Sequence, residues 1–200
     1  MSADQDLMEK IKTEYGGLLA NLVDSSAVPT PPASFLAGLI SNESGGNAAA
    51  KRFEPRVLSQ LWEVSLGHKA KYGSIDNKTL NSFIFDLPIA SLVPPVIPNT
   101  TFQNLDWLAT SWGLTQIMGY HCLEPGAPFA RPEDLQDPEK SLRATLWLMG
   151  NFCAVFHLDP TKDFSAMLHC WNAGNPDAPT FDPNYVPNAL RRMAVYPGLP

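Results

Sequence analysis

Apolar positions along this chain recur mostly with the period of a helix. Over residues 4–23, Leu7, Met8, Ile11, Tyr15, Leu18, Leu19 and Leu22 fall near one face and the charges fall elsewhere, which predicts an amphipathic helix. The run from Pro29 to Pro32 ends it and leads into a second, shorter helix for which Ser34 is the candidate cap. Pro55 stands where a first helical position belongs, and Val57, Leu58, Leu61, Trp62 and Val64 to Leu66 continue an apolar stripe up to Gly67. From Ala70 to Asn104 the periodicity is poor and prolines are dense, apart from a short helix predicted around Thr79 to Phe85.

The second half of the chain is read more easily. The string GLTQIMG, from Gly113 to Gly119, is short and apolar and predicts a buried helix of one or two turns. Asp137 and Pro138 form a cap and first-position pair for a long helix in which Leu142, Leu146, Met149, Cys153 and Phe156 recur at core spacing. A further helix is predicted from Thr161 to Asn172, with Phe164, Met167, Leu168 and Trp171 inward and Gly174 in the terminating position. Pro187 begins a last short helix with Leu190 and Met193 inward. No segment shows a convincing period of two with turn punctuation, and no repeat is present, so the chain reads as mainly α.

Within this pattern one residue is out of place. Phe35, Leu39 and Glu43 are spaced i, i+4, i+8 and share one stripe of a helix, which Gly45 and Gly46 then stop. A carboxyl group on that stripe loses hydration and lies near the negative pole of the helix dipole, and both effects favour its protonated form. A carboxylic acid still protonated near neutral pH is what a general acid must be, and glycoside cleavage is the reaction class that most often needs one.

Composition narrows the range of functions. The 200 residues are 44% apolar and 10% aromatic, enough for one domain with a real core. Nineteen prolines, about twice the usual share, cluster between the apolar segments and predict helices joined by long stiffened loops. A net charge of -6 carries no electrostatic footprint for nucleic acid. The start, MSADQDLMEK, has no apolar core of a signal peptide, and the most apolar stretch, Phe83 to Ile97, is broken by Asp86, Pro88, Pro94 and Pro95, so no membrane insertion is expected. Cys122, Cys153 and Cys170 are too few and too far apart for a disulfide framework. His68, His121, His157 and His169 show no paired metal-ligand spacing, and no phosphate-binding glycine loop or nucleophile elbow occurs, so no metal or cofactor is expected.

Three strings remain: ISNESGGN around Glu43, SWGLTQIMG at Ser111 to Gly119, and WNAG at Trp171 to Gly174. In this order and in a mostly helical chain they resemble the lysozyme-like superfamily of peptidoglycan-cleaving enzymes, most closely the N-acetylmuramidase family of phage endolysins and bacteria, and more remotely goose-type lysozymes and soluble lytic transglycosylases. The string FEPRVL at Phe53 to Leu58 is similar to that family's FExHV, with Arg56 in the place of its His, and the 73 residues between Glu43 and Gln116 match its spacing. The resemblance implies a lysozyme-like single catalytic domain over 1–200, with residues 1–30 as N-terminal helix and linker and 33–196 as the catalytic core. It implies a monomeric hydrolase that cleaves the β-1,4 bond between N-acetylmuramic acid and N-acetylglucosamine in peptidoglycan strands, made in the cytoplasm and acting on the cell wall after release as an endolysin or delivery as a toxin.

The residues take roles accordingly. Glu43 protonates the leaving oxygen, and Ser44 bonds the carboxyl or caps the helix. Gln116 offers a donor and an acceptor to an acetamido group, or satisfies local backbone in a buried turn. Ser111 and Trp112 belong to the cleft-lining string. Trp112 and Trp171 offer flat faces for sugar rings or pack in the core. Asn172 binds the acetamido group or caps its helix, and Tyr185 and Tyr120 stand at the rim. A second carboxylate is needed about 6.5–9.5 Å from the acid in an inverting enzyme and about 5–5.5 Å in a retaining one. Glu54, Asp86 and Asp106 are candidates, Glu54 being preferred because it lies in the FE string. Without such a base the substrate's own acetamido oxygen attacks, giving the anhydro product of a lytic transglycosylase. The same residues also suit a chitin-type glycosidase, or a catalytically inactive glycan-binding or structural protein that keeps the groove.

Overall fold

The computed structural model describes residues 2–86 and 104–198, excepting the side chains of residues 84–86. Helix α1 (Ala3–Asp24) begins in a reciprocal capping box between Ser2 and Gln5, with Asp4 and Asp6 in its first turn where the dipole favours negative charge. Its buried residues Met8, Ile11, Tyr15, Leu19 and Leu22 follow one another at three- and four-residue steps and face α2 (Ala33–Glu43). Every residue of α2 from Ser34 to Ser41 is buried, so this helix is enclosed on all sides and forms the centre of the main core. Phe35, Leu36, Leu39 and Ile40 are at most 2% exposed, each contributing roughly 1.5–3 kcal/mol of burial. Ser34 does not cap this helix: Pro32 holds the cap position without a side-chain bond, and the Ser34 hydroxyl is buried inside the first turn.

After Glu43 the chain turns through Gly45 and Gly46 (φ 61° and 85°) into strand β1 (Lys51–Phe53). Glu54 then precedes α3 (Pro55–Ser65), which carries Pro55 at its first position as predicted. Only Leu61 and Val64 of its stripe are fully buried, while Trp62 and Leu66 reach the surface, so the buried face is narrower than the apolar run suggested. A two-stranded hairpin, β2 (Lys71–Tyr72) and β3 (Ile75–Asp76), leads into α4 (Asn77–Asp86), where the sequence predicted a helix. Asp86 is the last residue of this helix, and the proline-rich residues 87–103 fall outside the described residues. Residues 104–108 are helical and join α3 and α4 around a second core of Leu61, Val64, Ile75, Leu80, Leu105, Leu108 and Ala109.

The expected helix over GLTQIMG is instead a β-turn structure. Strand β4 (Thr110–Trp112) pairs antiparallel with β1 on one side and with β5 (Ile117–Met118) on the other, placing Arg52 opposite Ser111 and Trp112 opposite Ile117. Strands of two or three residues are too short to show alternation, which is why the pattern hid them. Short 3₁₀ helices at Gly119–Leu123 and Pro132–Gln136 follow. Helix α5 (Pro138–Phe156) starts at the predicted Asp137 cap, whose side chain accepts from the Lys140 amide, and ends on His157 in the left-handed region. Helix α6 (Phe164–Ala173) begins later than predicted because residues 159–163 form a turn closed by the Asp159 and Asp163 carboxylates. It terminates on Gly174 (φ 74°), as expected. Helix α7 (Tyr185–Ala194) starts two residues before Pro187 and packs on α2, with Leu190 and Met193 against the main core. The fold is mainly α. The three cysteines are free thiols, with Cys170 buried and Cys153 against the main core.

Candidate active site

Glu43 is the last residue of α2, so the enclosed helix carries this carboxyl directly out of the main core to the turn that enters β1. The Tyr185 hydroxyl, from the start of α7, donates to Glu43 Oε1. Burial pushes the Glu43 carboxyl up from 4.5 to about 7, against the opposing pull of the Tyr185 hydrogen bond and the positive charge of Arg52. The acid is thus about half protonated at neutral pH. Burial, and then the adjacent Glu43 charge, push the Tyr185 phenol well above its usual value, so this hydroxyl keeps its proton and acts as the donor. Replacing Tyr185 by Phe is expected to raise the Glu43 pKa by about one, the equivalent of one charge-assisted hydrogen bond, as read by ¹³C titration of the Glu43 carboxyl. An unchanged value would show that the phenol does not act on the acid.

Ser44 does not reach back to the carboxyl. Its hydroxyl donates 2.7 Å to the Leu114 carbonyl, tying the end of α2 to the β4–β5 turn, and its amide closes the helix on Ile40. That turn is held by Gln116, which adopts a left-handed φ of 55°, uncommon outside glycine. Gln116 Nε2 donates to the Ala50 carbonyl (3.1 Å) and the Gly113 carbonyl (2.9 Å), and Oε1 accepts from the Ser111 hydroxyl (2.9 Å). Both amide hydrogens are therefore engaged, and of the two roles open to Gln116 the structure displays the local backbone one. Ser111 is fully buried between Arg52 and Gln116 and presents nothing to a ligand.

The two tryptophans separate. Trp112 is 3% exposed, donates Nε1 to the Trp107 carbonyl (3.0 Å) and has the Lys51 ammonium over its ring, so it is a core residue and not a sugar platform. Trp171 is half-buried; its Nε1 donates to the Thr115 carbonyl (3.1 Å), which fixes the ring in the lining of a groove of about 380 Å³. Tyr72, Gln116, Tyr120, His121 and Asn172 also line this groove, and Glu43 is not among its lining residues. Asn172 accepts from the Phe181 amide (3.2 Å) through Oδ1, leaving its amide hydrogens available. Tyr185, expected at the rim, is instead buried against the acid.

Of the candidate second carboxylates, Glu54 is bound to Arg52 (2.6 Å), the same side chain whose charge acts on Glu43. Its backbone amide bonds the Ala109 carbonyl (2.9 Å), which fixes it at the junction of β1 and α3. Asp106 has a buried Oδ1 without a partner and is raised above the usual carboxylate range by that burial. The Asp86 side chain lies outside the described residues. Arg52 and the Tyr185 contact are not legible in the sequence: Tyr185 lies 142 residues from Glu43, and no local pattern links them.

Among the described residues no group of three His, Cys, Asp or Glu side chains is gathered as for a metal ion, and no helix is long and apolar enough to cross a membrane. Comparison with protein-family models, curated proteins and solved structures finds no significant match.

Proposed function

We propose that this protein is a peptidoglycan-cleaving glycosidase of the lysozyme type, an N-acetylmuramidase in which Glu43 is the general acid. The observation that carries this reading is a single carboxyl at the end of a buried helix, held near neutral pKa by burial and oriented by a phenol. As the glycosidic oxygen takes the proton, Glu43 becomes an anion. The Tyr185 hydroxyl and the Arg52 charge both favour that anion over the acid, so they strengthen as the bond breaks, which is the condition for lowering a barrier. The groove lined by Gln116, Trp171 and Asn172 supports a sugar ligand, since it combines aromatic faces with the available amide hydrogens of Asn172.

The water-activating group in this reading is Glu54. Its engagement with Arg52 favours a second version of the reaction, in which the acetamido oxygen of the substrate attacks the anomeric carbon as the leaving oxygen takes the Glu43 proton. The ring so formed is opened by water or the substrate's own 6-hydroxyl, whose proton returns to the Glu43 carboxylate, so that no second carboxylate is needed. Glu54→Gln distinguishes them. If Glu54 activates water, hydrolysis falls by about 10²- to 10⁴-fold; if it only holds Arg52, turnover stays within a few-fold. Mass analysis of products from purified peptidoglycan provides the direct test: reducing muramic ends support the hydrolase, and 1,6-anhydro ends would replace it by a transglycosylase. No cleavage by the wild-type protein would leave a catalytically inactive glycan-binding or structural protein.

A further inference from the structure

A chain of contacts runs from the first turn of α1 to the acid. Asp4 accepts from Arg191 Nε on one oxygen (2.6 Å) and from Arg192 Nε on the other (2.9 Å). The two guanidinium groups hold the Asp4 carboxyl below the usual range, Arg191 more strongly. Arg192 then uses Nη1 to reach Asn42 Oδ1 at 2.8 Å, and Asn42 Nδ2 donates 2.7 Å to the Tyr185 carbonyl. Arg192 and Asp4 are only about one-fifth exposed, at 20% and 21% of their side chains, so this bridge is sheltered from competing water. It spans three helices and ends on the residue whose phenol touches Glu43.

The contact between α2 and α7 is also unusually close. A Cβ placed on Gly38 would lie 2.8 Å from the Ala189 carbonyl, so α7 rests directly on the α2 backbone. Close packing fixes the distance between the helices, but it leaves sliding of α7 along α2 to be fixed by directed bonds. Asn42 supplies one at the α7 start, adjacent in sequence to Glu43 itself. A slide there displaces the phenol relative to the carboxyl, because both are anchored at the same end of the two helices.

We propose that Arg192 and Asn42 are positioning residues for the Glu43–Tyr185 pair: Arg192, fixed by Asp4, orients the Asn42 amide, and Asn42 holds the Tyr185 backbone so that the phenol meets the carboxyl. This rests on the reading of Glu43 as the general acid, and its test is built so the two fail separately. The charged and titratable groups acting on Glu43 are Tyr185 from α7 and Arg52 from β1; on α1, Glu14 and Tyr15 bond each other, with Tyr15 also on the Gly46 carbonyl. Arg192 acts through Asn42 and not by its charge.

The experiment is ¹³C titration of the Glu43 carboxyl in the full-length protein, in wild type and in Arg192→Ala, Arg192→Lys, Asn42→Ala, Tyr185→Phe and the Arg192→Ala/Tyr185→Phe double variant. Arg192→Ala and Asn42→Ala are expected to raise the Glu43 pKa in the same direction as Tyr185→Phe. Arg192→Lys should do so too, because a lysine keeps the charge but lacks the fork that meets Asp4 and Asn42 together. In the double variant no shift beyond that of Tyr185→Phe is expected. A wild-type value in Arg192→Lys, additive shifts in the double variant, or no shift in Asn42→Ala would each overturn the proposal. Should Arg192→Ala fail to fold, Arg192→Lys and Asn42→Ala carry the same decision. On peptidoglycan, Arg192→Lys should lower kcat about tenfold at unchanged KM, as for one lost charge-assisted hydrogen bond. If the wild-type protein cleaves no glycan, the functional reading fails while the titration still decides the positioning role.

Discussion

Glu43→Gln is expected to remove glycan cleavage while making the protein more stable above neutral pH. The activity loss follows from the role proposed for Glu43: an amide cannot donate the proton the leaving oxygen needs, and loss of a general acid costs about 10²- to 10⁴-fold in turnover. The stability gain follows from linkage. A carboxyl raised from 4.5 in the unfolded chain to about 7 in the fold resists ionisation in the native state. The native state therefore binds its proton more tightly, and stability declines as pH rises from about 4.5 through 7. The full difference is roughly 3 kcal/mol, absent below about pH 4.5 and complete above pH 7. Glutamine cannot ionise, yet its carbonyl still accepts from Tyr185. Urea unfolding of the two proteins at about pH 4 and about pH 8, on either side of that window, should give nearly equal stabilities at the first and a more stable variant at the second. The wild-type kcat/KM should also fall as pH rises through about 7. A variant that cleaves as fast as wild type would remove Glu43 from the chemistry, and a stability difference indifferent to pH would remove its raised pKa.

Gly113→Ala is expected to cost more than about 3 kcal/mol of stability, enough to lower the melting temperature by roughly 10 °C in a chain of this size. Gly113 has φ 76°, and a Cβ built on it would lie 1.9 Å from the Leu135 carbonyl and 3.0 Å from the Ser141 hydroxyl. Neither the 3₁₀ helix at Pro132–Gln136 nor the start of α5 can yield without opening the cluster of Trp112, Ile117, Phe129, Leu135 and Ala144. The same glycine accepts from Gln116 Nε2 and donates its amide to Ala50, so the hairpin that Ser44 grips would be disturbed with it. Calorimetry against Gly150→Ala, where a Cβ meets nothing within 4 Å, provides the control. Equal melting temperatures would show that the hairpin is not locked against Leu135.

The two variants probe different dependencies of one site. The acid sits at the end of a helix that the core fixes rigidly, and its surroundings are brought by β1, by the β4–β5 turn and by α7. Glu43→Gln changes the chemistry and leaves the frame, whereas Gly113→Ala loosens the frame and leaves the chemistry. Tyr185, Asn42 and Arg192 lie between these extremes, tuning the acid through α7.

The helices were largely legible because burial writes itself into local period. The spacing in α1, the Asp137–Pro138 start of α5, Pro55 at the head of α3 and Gly174 after α6 each involve residues within a few positions of one another. The isolation of Glu43 on an apolar stripe was visible for the same reason. The strands were not visible, because two or three residues carry no period, and GLTQIMG is apolar whether it forms a helix or a hairpin. The roles of Gln116, Ser111 and Trp112 likewise depended on the fold, for a polar or aromatic side chain binds whatever lies within about 3 Å, and here that was the protein's own backbone and neighbouring side chains.

By itself the sequence determined a mainly α chain, the helix that ends at Glu43, and the nomination of that residue as an acid. Only the tertiary structure decided that Tyr185 meets it, that Arg52 acts on it while holding Glu54, and that Asp4 and Arg192 reach its neighbour Asn42. The physical reason is one of range: helix period and capping act over three or four residues, whereas the dielectric and the hydrogen bonds that tune a carboxyl are made by whichever side chains folding brings to it.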